Sequence, residues 1–249
     1  MEITIKDKTY SKDEIRNIVF QQSQNEISDV ALHKRINKMI GSGELSRVGN
    51  GQYVFVSKKK FDYLIAYDVS VDILNKLENR FDNDAKYIVY ESTILNLFLN
   101  HLIGRPTIIL EVEKDLVETA FWYLKESGYQ NVLLNPNENE NYIYNQYDGK
   151  CIIVKTMVSQ SPIDNKHHVT TIEKLIVDIV CDKTLNMFYE GAEIPNMIED
   201  ILNNYAVKYD TVRNYAKRRH CLDRLIKYVP EELKGAFKWL NKKHLQKKI

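Results

Sequence analysis

The sequence predicts a mixed α/β (α+β) fold in two parts, and three observations support this prediction. The chain has 249 residues, 44% hydrophobic and 28% charged, which is the composition of an ordinary globular protein with one or two domains. Up to residue 60, helical periodicity is followed by a β-hairpin pattern. Beyond it, strand and helix patterns alternate. We therefore expect one domain at residues 1–60 and an α/β domain at 61–249, whose part from about 170 to 249 is helical.

Composition also narrows the class of protein. No apolar run approaches the roughly 18 residues that a membrane helix needs, and the N-terminus lacks the basic-then-apolar pattern of a signal peptide. The three cysteines lie far apart and form no CxxC pair, which favours buried thiols in a reducing compartment. We expect a cytoplasmic protein without a membrane partner.

Charge is segregated along the chain although the formal net charge is only +1. Residues 1–60 carry a formal charge of +4, residues 61–190 carry −9 and residues 191–249 carry +6. Two basic ends around an acidic middle indicate either contact with a polyanion or a basic surface reserved for a protein partner. Lysines that only solvate exposed helices are the alternative.

The N-terminal elements follow one another closely. Ser11 and Glu14 have the spacing of a capping box, so a helix is expected to begin there. Residues 25–41 carry a second apolar periodicity and would have to supply a second and a third helix. Two short β-rich segments then flank the turn Gly49-Asn50-Gly51, which predicts a hairpin.

Two helices, the second of them basic, followed by a glycine-tipped hairpin are typical of a winged helix-turn-helix. Its second helix enters the major groove, and its wing approaches the DNA backbone or the minor groove. Lys34, Arg35 and Lys38 lie on the polar side of the basic helix, and Arg47 lies in the hairpin. These residues, together with Asn50 in the turn of the hairpin, are the candidate contacts to double-stranded DNA, while a winged helix used only for protein contact is the alternative.

The second part is predicted as alternating helices and strands. A helical remainder then begins at Thr170. The expected elements are the helix Val69–Phe81, the strand Tyr87–Tyr90, a helix from Glu91 to Leu102, the strand Thr107–Val112, the helix Asp115–Glu126, and the strands Val132–Leu134 and Cys151–Val154.

An acidic group at the strand ends raises the possibility of a nuclease. Glu91, Glu111 and Glu113 could hold a divalent metal in a restriction-endonuclease-like site, with the winged helix as a targeting module. The spacing opposes this reading, because Lys114 directly follows Glu113 and would point to the other face of a strand. The sequence contains no nucleotide-binding or hydrolase motif, and its histidines lack a third ligand at motif spacing. We expect no catalytic residues, no cofactor and no metal.

Basic residues also concentrate near the C-terminus. Arg213, Lys217 and Arg224 are spaced by four and seven residues, which would place them on one face of a helix. This face is the candidate for a second polyanion contact or for a partner protein. The alternative is a solvated basic helix that pairs with the acidic middle segment.

Three further stretches carry a family resemblance. They are the hairpin segment Gly43–Tyr53, the segment Tyr90–Leu95, and Thr171–Asp178 with the pattern T-x-E-[KR]-x-x-x-D. Together they resemble the AbiEi-type antitoxins and transcriptional regulators of bacterial abortive-infection toxin-antitoxin systems, which act in phage defence.

This resemblance implies a function for each part. The N-terminal winged helix would bind the protein's own promoter and repress the operon. The second domain would support repression and neutralise a nucleotidyltransferase-like toxin. Asn50 stands where the family's wing has a basic residue, so the phosphate contact of the wing would depend on Arg47. Glu173 and Asp178 are expected to satisfy neighbouring backbone groups or the basic residues near Arg213.

Overall fold

The chain has a mixed α+β architecture that divides into two compact units. The computed structural model describes residues 9–23, 27–41, 44–55, 59–81, 84–136 and 151–238. The first unit comprises the described residues up to Phe61 together with those from Ile198 onward, and the second unit spans Asp62–Met197.

The N-terminal segment of the first unit contains two helices and three short strands. In chain order they are β1 (Thr9–Ser11), α1 (Lys12–Ser23), α2 (Asp29–Gly41), β2 (Leu45–Gly49) and β3 (Gln52–Phe55). The strands form an antiparallel sheet in the order β1-β3-β2. The predicted capping box is confirmed, since the amide of Glu14 donates to Ser11 Oγ at 3.2 Å and the amide of Ser11 donates to Glu14 Oε2 at 2.7 Å.

The described part of residues 25–41 contains one helix, so the expectation of two helices there is wrong. Leu32 and Ile36 are fully buried, and Met39 and Ile40 are partly buried at the same side of α2. One continuous apolar side needs no break in the helix. It packs in a core whose buried members are Ile15, Val19, Leu32, Ile36, Leu45 and Tyr53.

The predicted hairpin is confirmed. Strands β2 and β3 are joined through Asn50 and Gly51, and the pairing shifts between Arg47 and Gly49. Gly51 has a φ of +68°, a left-handed conformation in which a side chain is strained.

The second unit is an α/β arrangement around a four-stranded sheet. Its elements are α3 (Asp68–Arg80), β4 (Tyr87–Glu91), β5 (Ile108–Val112), α4 (Val117–Glu126), β6 (Val132–Leu134), β7 (Ile152–Thr156), β8 (Ile163–Asp164), β9 (Val169–Thr170) and α5 (Ile172–Cys181). The sheet order is β4-β5-β7-β6, with β4 antiparallel to β5 and the other neighbours parallel. Strands β8 and β9 form a separate antiparallel pair.

The two faces of the four-stranded sheet carry different residues, because side chains alternate along a strand. One face forms an apolar core with α3 and α4, in which Leu77, Val89 and Leu110 are fully buried. The other face carries Tyr90 and Glu111, whose side chains are hydrogen-bonded to each other. This second face is where the charged residues of α5 meet the sheet.

The segment after β4 differs from its prediction. A long helix was expected from Glu91 to Leu102, but the structure has a short 3-10 helix over Ser92–Leu97. The side chain of Asn96 bonds both main-chain groups of Ile103, at 2.8 and 3.1 Å, and closes the following residues into a loop. These side-chain hydrogen bonds of Asn96 compete with the main-chain hydrogen bonds of a longer helix, so the helix ends early.

The C-terminal helices belong to the first unit and do not extend the α/β domain, which corrects the expected boundary at 61–249. They are α6 (Ile194–Asn204), in which the boundary between the units falls, α7 (Tyr209–Arg218), α8 (Leu222–Tyr228) and α9 (Lys234–Lys238). Main-chain hydrogen bonds of 2.9 Å join Lys59 to Asn204 and Ala206, and both α7 and α9 contact β2. These pairings are distant in sequence, so periodicity alone could not reveal them.

Within the described residues, no helix is both long enough and apolar enough to cross a membrane.

Candidate functional site

The basic helix α2 is held in place by contacts at its N-terminus. Ser28 Oγ accepts a hydrogen bond from the amide of Ala31 at 3.3 Å and so caps the helix. The carboxylate of Asp29 is paired with both Arg16 and Lys12 of α1. Arg16 also donates to the carbonyl of Ile27 at 3.4 Å, which links the residues just before α2 to α1.

Asp29 is the one acidic residue in the sequence of α2, and its charge is locally balanced. Hydrogen bonds and charge attraction from Arg16, and then from Lys12, lower the pKa of Asp29 below its usual value. The acidic group therefore stays ionised between two cations, and the remaining formally charged residues of α2 are all basic.

The exposed side of α2 carries the predicted DNA contacts Lys34, Arg35 and Lys38. Within the described residues, none of the three forms an ion pair or a side-chain hydrogen bond. Their charges are thus available to an external anion. The structure brings these three residues together on one surface because Leu32 and Ile36 occupy the opposite, buried side.

The two hairpin candidates lie in different environments. Arg47 is half-buried and directed against its cross-strand partner Tyr53, with its guanidinium 5.6 Å from the ring centre and one terminal nitrogen 3.2 Å from the hydroxyl. Its Nε is buried without a hydrogen-bond partner among the described residues. Asn50 is exposed at the tip of the hairpin. Arg47 therefore braces the hairpin and leaves only part of its guanidinium for an external contact, while Asn50 is exposed.

The three C-terminal candidates do not form one exposed face, which corrects the prediction. Arg213 is only 3% exposed and is paired with Asp210. Lys217 lies on α7 and Arg224 on α8, and both are exposed. The i, i+4, i+11 spacing assumed a single helix, whereas the chain turns at His220, which has a φ of +52°. Of the three candidates, only Lys217 and Arg224 are exposed.

The two units carry formal charges of opposite sign. The first unit carries 24 Lys and Arg against 13 Asp and Glu, a formal charge of +11. The second unit carries 11 against 21, a formal charge of −10. The two basic ends of the sequence thus belong to the same unit, which makes that unit the stronger candidate for polyanion binding.

A second group of charged residues lies inside the second unit, between its sheet and α5. We call it the buried charge cluster; it consists of Tyr90, Glu111, Lys155, Lys174, Asp178 and Asp182. Lys174 is fully buried and binds Glu111 at 2.8 Å as well as Asp178. Lys155 binds Asp182 at 2.8 Å and Glu111 at 3.3 Å. The sheet and α5 are therefore joined by three carboxylates and two ammonium groups.

Several strong contacts converge on Glu111. Its Oε1 accepts hydrogen bonds from Tyr90 and Lys174, both at 2.8 Å. Burial by itself raises the pKa of Glu111, but Lys174 and Lys155 outweigh burial and hold the pKa below its usual value. Burial lowers the pKa of Lys155, yet Asp182 and Glu111 raise it above the usual value overall. The pairing thus keeps both charges ionised in the interior.

The lowered pKa of Glu111 predicts a dependence of stability on pH. Because the folded pKa lies below the unfolded value, the ionised carboxylate stabilises the fold above about pH 4.3, and this stabilisation is lost as the pH falls through the folded pKa. We expect the difference in unfolding free energy between the parent and Glu111→Gln to shrink on acidification below that pH. Chemical unfolding at several pH values measures it, with exposed Glu118→Gln as the control. A difference that stays constant with pH would contradict the assignment.

The structure does not assemble the acidic group of the nuclease alternative. Glu91 pairs with Ile108 and Glu111 pairs with Ile88, so strand alternation places the two carboxylates on opposite faces of the sheet. Glu91 accepts hydrogen bonds from the hydroxyl of Tyr63 at 2.9 Å and from the amide of Tyr67 at 3.0 Å, just before α3. Glu91 therefore supports the start of a helix.

The remaining acidic residue, Glu113, accepts a hydrogen bond from the amide of Lys86 at 3.1 Å. Within the described parts of the chain, no three His, Cys, Asp or Glu side chains are arranged to hold a metal ion. Glu91, Glu111 and Glu113 thus each have separate local contacts and do not converge on one point.

Sequence reasoning missed most of the buried charge cluster. Asp178 was expected to contact backbone groups or the basic residues near Arg213, but it pairs with Lys174 one helical turn away. The available signal was the pair Lys174 and Asp178, four residues apart in the otherwise mostly apolar helix α5, because charges in a buried helix require partners. The partners of Lys174 from the strands could not be read from local spacing.

Comparison with known proteins places the chain in a family without defining its activity. No curated protein and no solved structure matches the chain. The sequence model of one family, described as "Family of unknown function (DUF6577)", matches residues 31–234 and so covers both units. On that match, the chain belongs to the DUF6577 family.

Proposed function

We propose that the protein is a DNA-binding transcriptional autoregulator and that the N-terminal segment of its first unit, within residues 1–60, is a winged helix-turn-helix. The order β1-α1-α2-β2-β3, with β2 and β3 as the wing, supports this proposal. The observation that carries it is the exposed group Lys34, Arg35 and Lys38, on the helix that directly precedes the hairpin. These cations have no ion-pair partner among the described residues and belong to a unit with a formal charge of +11.

The chemistry of this surface fits double-stranded DNA. A helix fits the width of the major groove, where ammonium and guanidinium groups contact phosphates and guanine edges. Asn50 at the wing tip, and the accessible part of Arg47, supply further contacts to the backbone. Lys217 and Arg224 are exposed cations of the same unit and are the remaining candidates for a second contact with a polyanion or an acidic partner.

We infer an antitoxin role from the resemblance to the AbiEi-type regulators. In this role the protein represses its own promoter in the cytoplasm and counteracts a nucleotidyltransferase-like toxin from the same operon. The second unit, with a formal charge of −10, repels nucleic acid and is therefore the part available to a protein partner. Co-expression with the product of the neighbouring gene tests this role: rescue of growth supports it, and unrelieved toxicity contradicts it.

The nuclease alternative finds less support. A shared metal would need carboxylates that converge, whereas Glu91 and Glu111 lie on opposite faces of the sheet. Glu111 is also committed to Lys174, Lys155 and Tyr90.

The binding of the full chain to duplex DNA from upstream of its own gene tests the proposal. Each neutralised phosphate contributes a slope of about −0.9 to the logarithm of the affinity against the logarithm of salt concentration. Three cations on α2 should therefore give a slope of about −2.7 or steeper. An affinity that does not depend on salt, or the absence of binding at low salt, would contradict the proposed function.

A further inference from the structure

The exposed surface of α2 contains two rows of different chemistry, and exposed His33 lies beside the first of them. At 3.6 residues per turn, residues spaced by four and three positions lie above one another. Val30, Lys34 and Asn37 form the first row, and Ala31, Arg35 and Lys38 form the second. All six side chains are exposed.

The two rows extend to different sides of the outermost position of α2. The buried residues Leu32 and Ile36 define the inward side of α2. With 3.6 residues per turn, Lys34 lies opposite them, Val30 and Asn37 lie about 40–60° to one side of it, and Lys38 lies about 40° to the other side. Arg35 is rotated toward one flank, which places the second row beside the first.

The first row contains an unexpected residue for a cationic surface. Val30 is 67% exposed, more than any other large hydrophobic residue among those described in the first unit. An apolar side chain, an ammonium group and an amide are the groups that read base edges: methyl groups contact the thymine methyl, lysine contacts guanine, and asparagine contacts adenine. The second row offers only a small residue and two cations, which suit phosphates.

We propose that Val30, Lys34 and Asn37 read base edges in the major groove, while Arg35 and Lys38 bind the phosphates of one flanking strand. This inference rests on the proposed DNA binding and adds the residues that determine sequence specificity. The preferred site contains a thymine and an adenine about one to two helical turns of α2 apart, with a guanine between them.

Selection from a library of random duplexes by the full-length protein tests the inference. The affinities of the parent and of the variants for the enriched duplex, and for duplexes with single base-pair changes, are then measured at several salt concentrations. Val30→Ser and Asn37→Ala should each reduce discrimination at one base pair by about 5- to 150-fold without changing the salt slope. Arg35→Ala should flatten the slope by about 0.9 and weaken all duplexes equally.

The matched control is Asn203→Ala, since Asn203 is an exposed helical asparagine of the same unit. It should leave discrimination and slope unchanged. Equal loss of affinity for all duplexes in Val30→Ser and Asn37→Ala would overturn the inference, as would a parent that binds DNA but enriches no sequence. A parent that binds no duplex at any salt concentration would instead reject the proposed function itself.

Discussion

Replacement of Lys174 with methionine should lower the free energy of unfolding by about 3–5 kcal/mol. Lys174 is fully buried, and its ammonium group is the partner of both Glu111 and Asp178. Removal of this one positive charge leaves three buried carboxylates, those of Glu111, Asp178 and Asp182, beside a single ammonium group, that of Lys155. The cost is then the desolvation of those charges, which a methionine side chain cannot offset.

Lys76→Met is the matched control for this prediction. Lys76 also pairs with an aspartate four residues away on a helix, but the Lys76 and Asp72 side chains are 33% and 53% exposed. An exposed pair of this kind contributes about 0–1 kcal/mol. Urea unfolding of both variants measures the contrast, and a Lys174→Met protein as stable as Lys76→Met would show that the buried charge cluster does not support the fold.

A double variant separates the lost ion pair from the lost packing. Lys174→Met combined with Asp178→Leu removes one charge of each sign, while Lys155 still lies 3.3 Å from Glu111. We expect the double variant to be less destabilised than the sum of the two single variants. Each single variant removes only one charge of the pair and leaves the opposite charge buried, whereas the double variant removes both. Simple additivity would argue against the pairing.

Replacement of Lys34, Arg35 and Lys38 together by alanine should flatten the salt dependence of DNA binding by about two to three units. Each cation that contacts a phosphate releases counterions from DNA, and its removal takes that contribution away. The three side chains are exposed and make no ion pair with the described residues, so folding should be preserved. Alanine also has a higher helix propensity than either lysine or arginine.

The control for the triple variant is an equal loss of charge elsewhere. Lys86, Lys114 and Lys166 are exposed lysines of the second unit, and their replacement by alanine changes the net charge by the same amount. Affinity for the upstream duplex at several salt concentrations should fall in the first variant and not in the second. Equal slopes in the parent and the α2 variant would exclude α2 as the DNA-binding surface.

Local sequence patterns predicted much of the first unit. The capping box at Ser11 and Glu14 and the hairpin at Asn50 and Gly51 depend on residues that are near neighbours in the chain. For the same reason the exposure of Lys34, Arg35 and Lys38 followed from the periodicity of α2. At residues 25–41 we expected two helices, but the apolar side of α2 is continuous and belongs to one helix.

Local patterns were less informative where the partner is distant. Arg213 looked like an exposed member of a basic helix, but it is buried and paired with Asp210. Lys174 pairs with Glu111 on β5, which is 63 positions away in the chain. Lys155 pairs with Asp182, the residue directly after α5, which is 27 positions away. Spacing rules describe neighbours on one helix or strand and do not rank pairings at such separations.

The sequence by itself determined the α+β class, most strands and helices of both units, and the basic surface of α2, because periodicity of 2 or 3.6 residues encodes which side of an element is buried. Tertiary structure decided that the chain returns after residue 197 to the first unit, so that two separate basic segments become one unit with a formal charge of +11. It also decided which charges are buried together around Glu111. Both outcomes depend on contacts between residues far apart in the chain, whose formation is governed by the packing of whole elements.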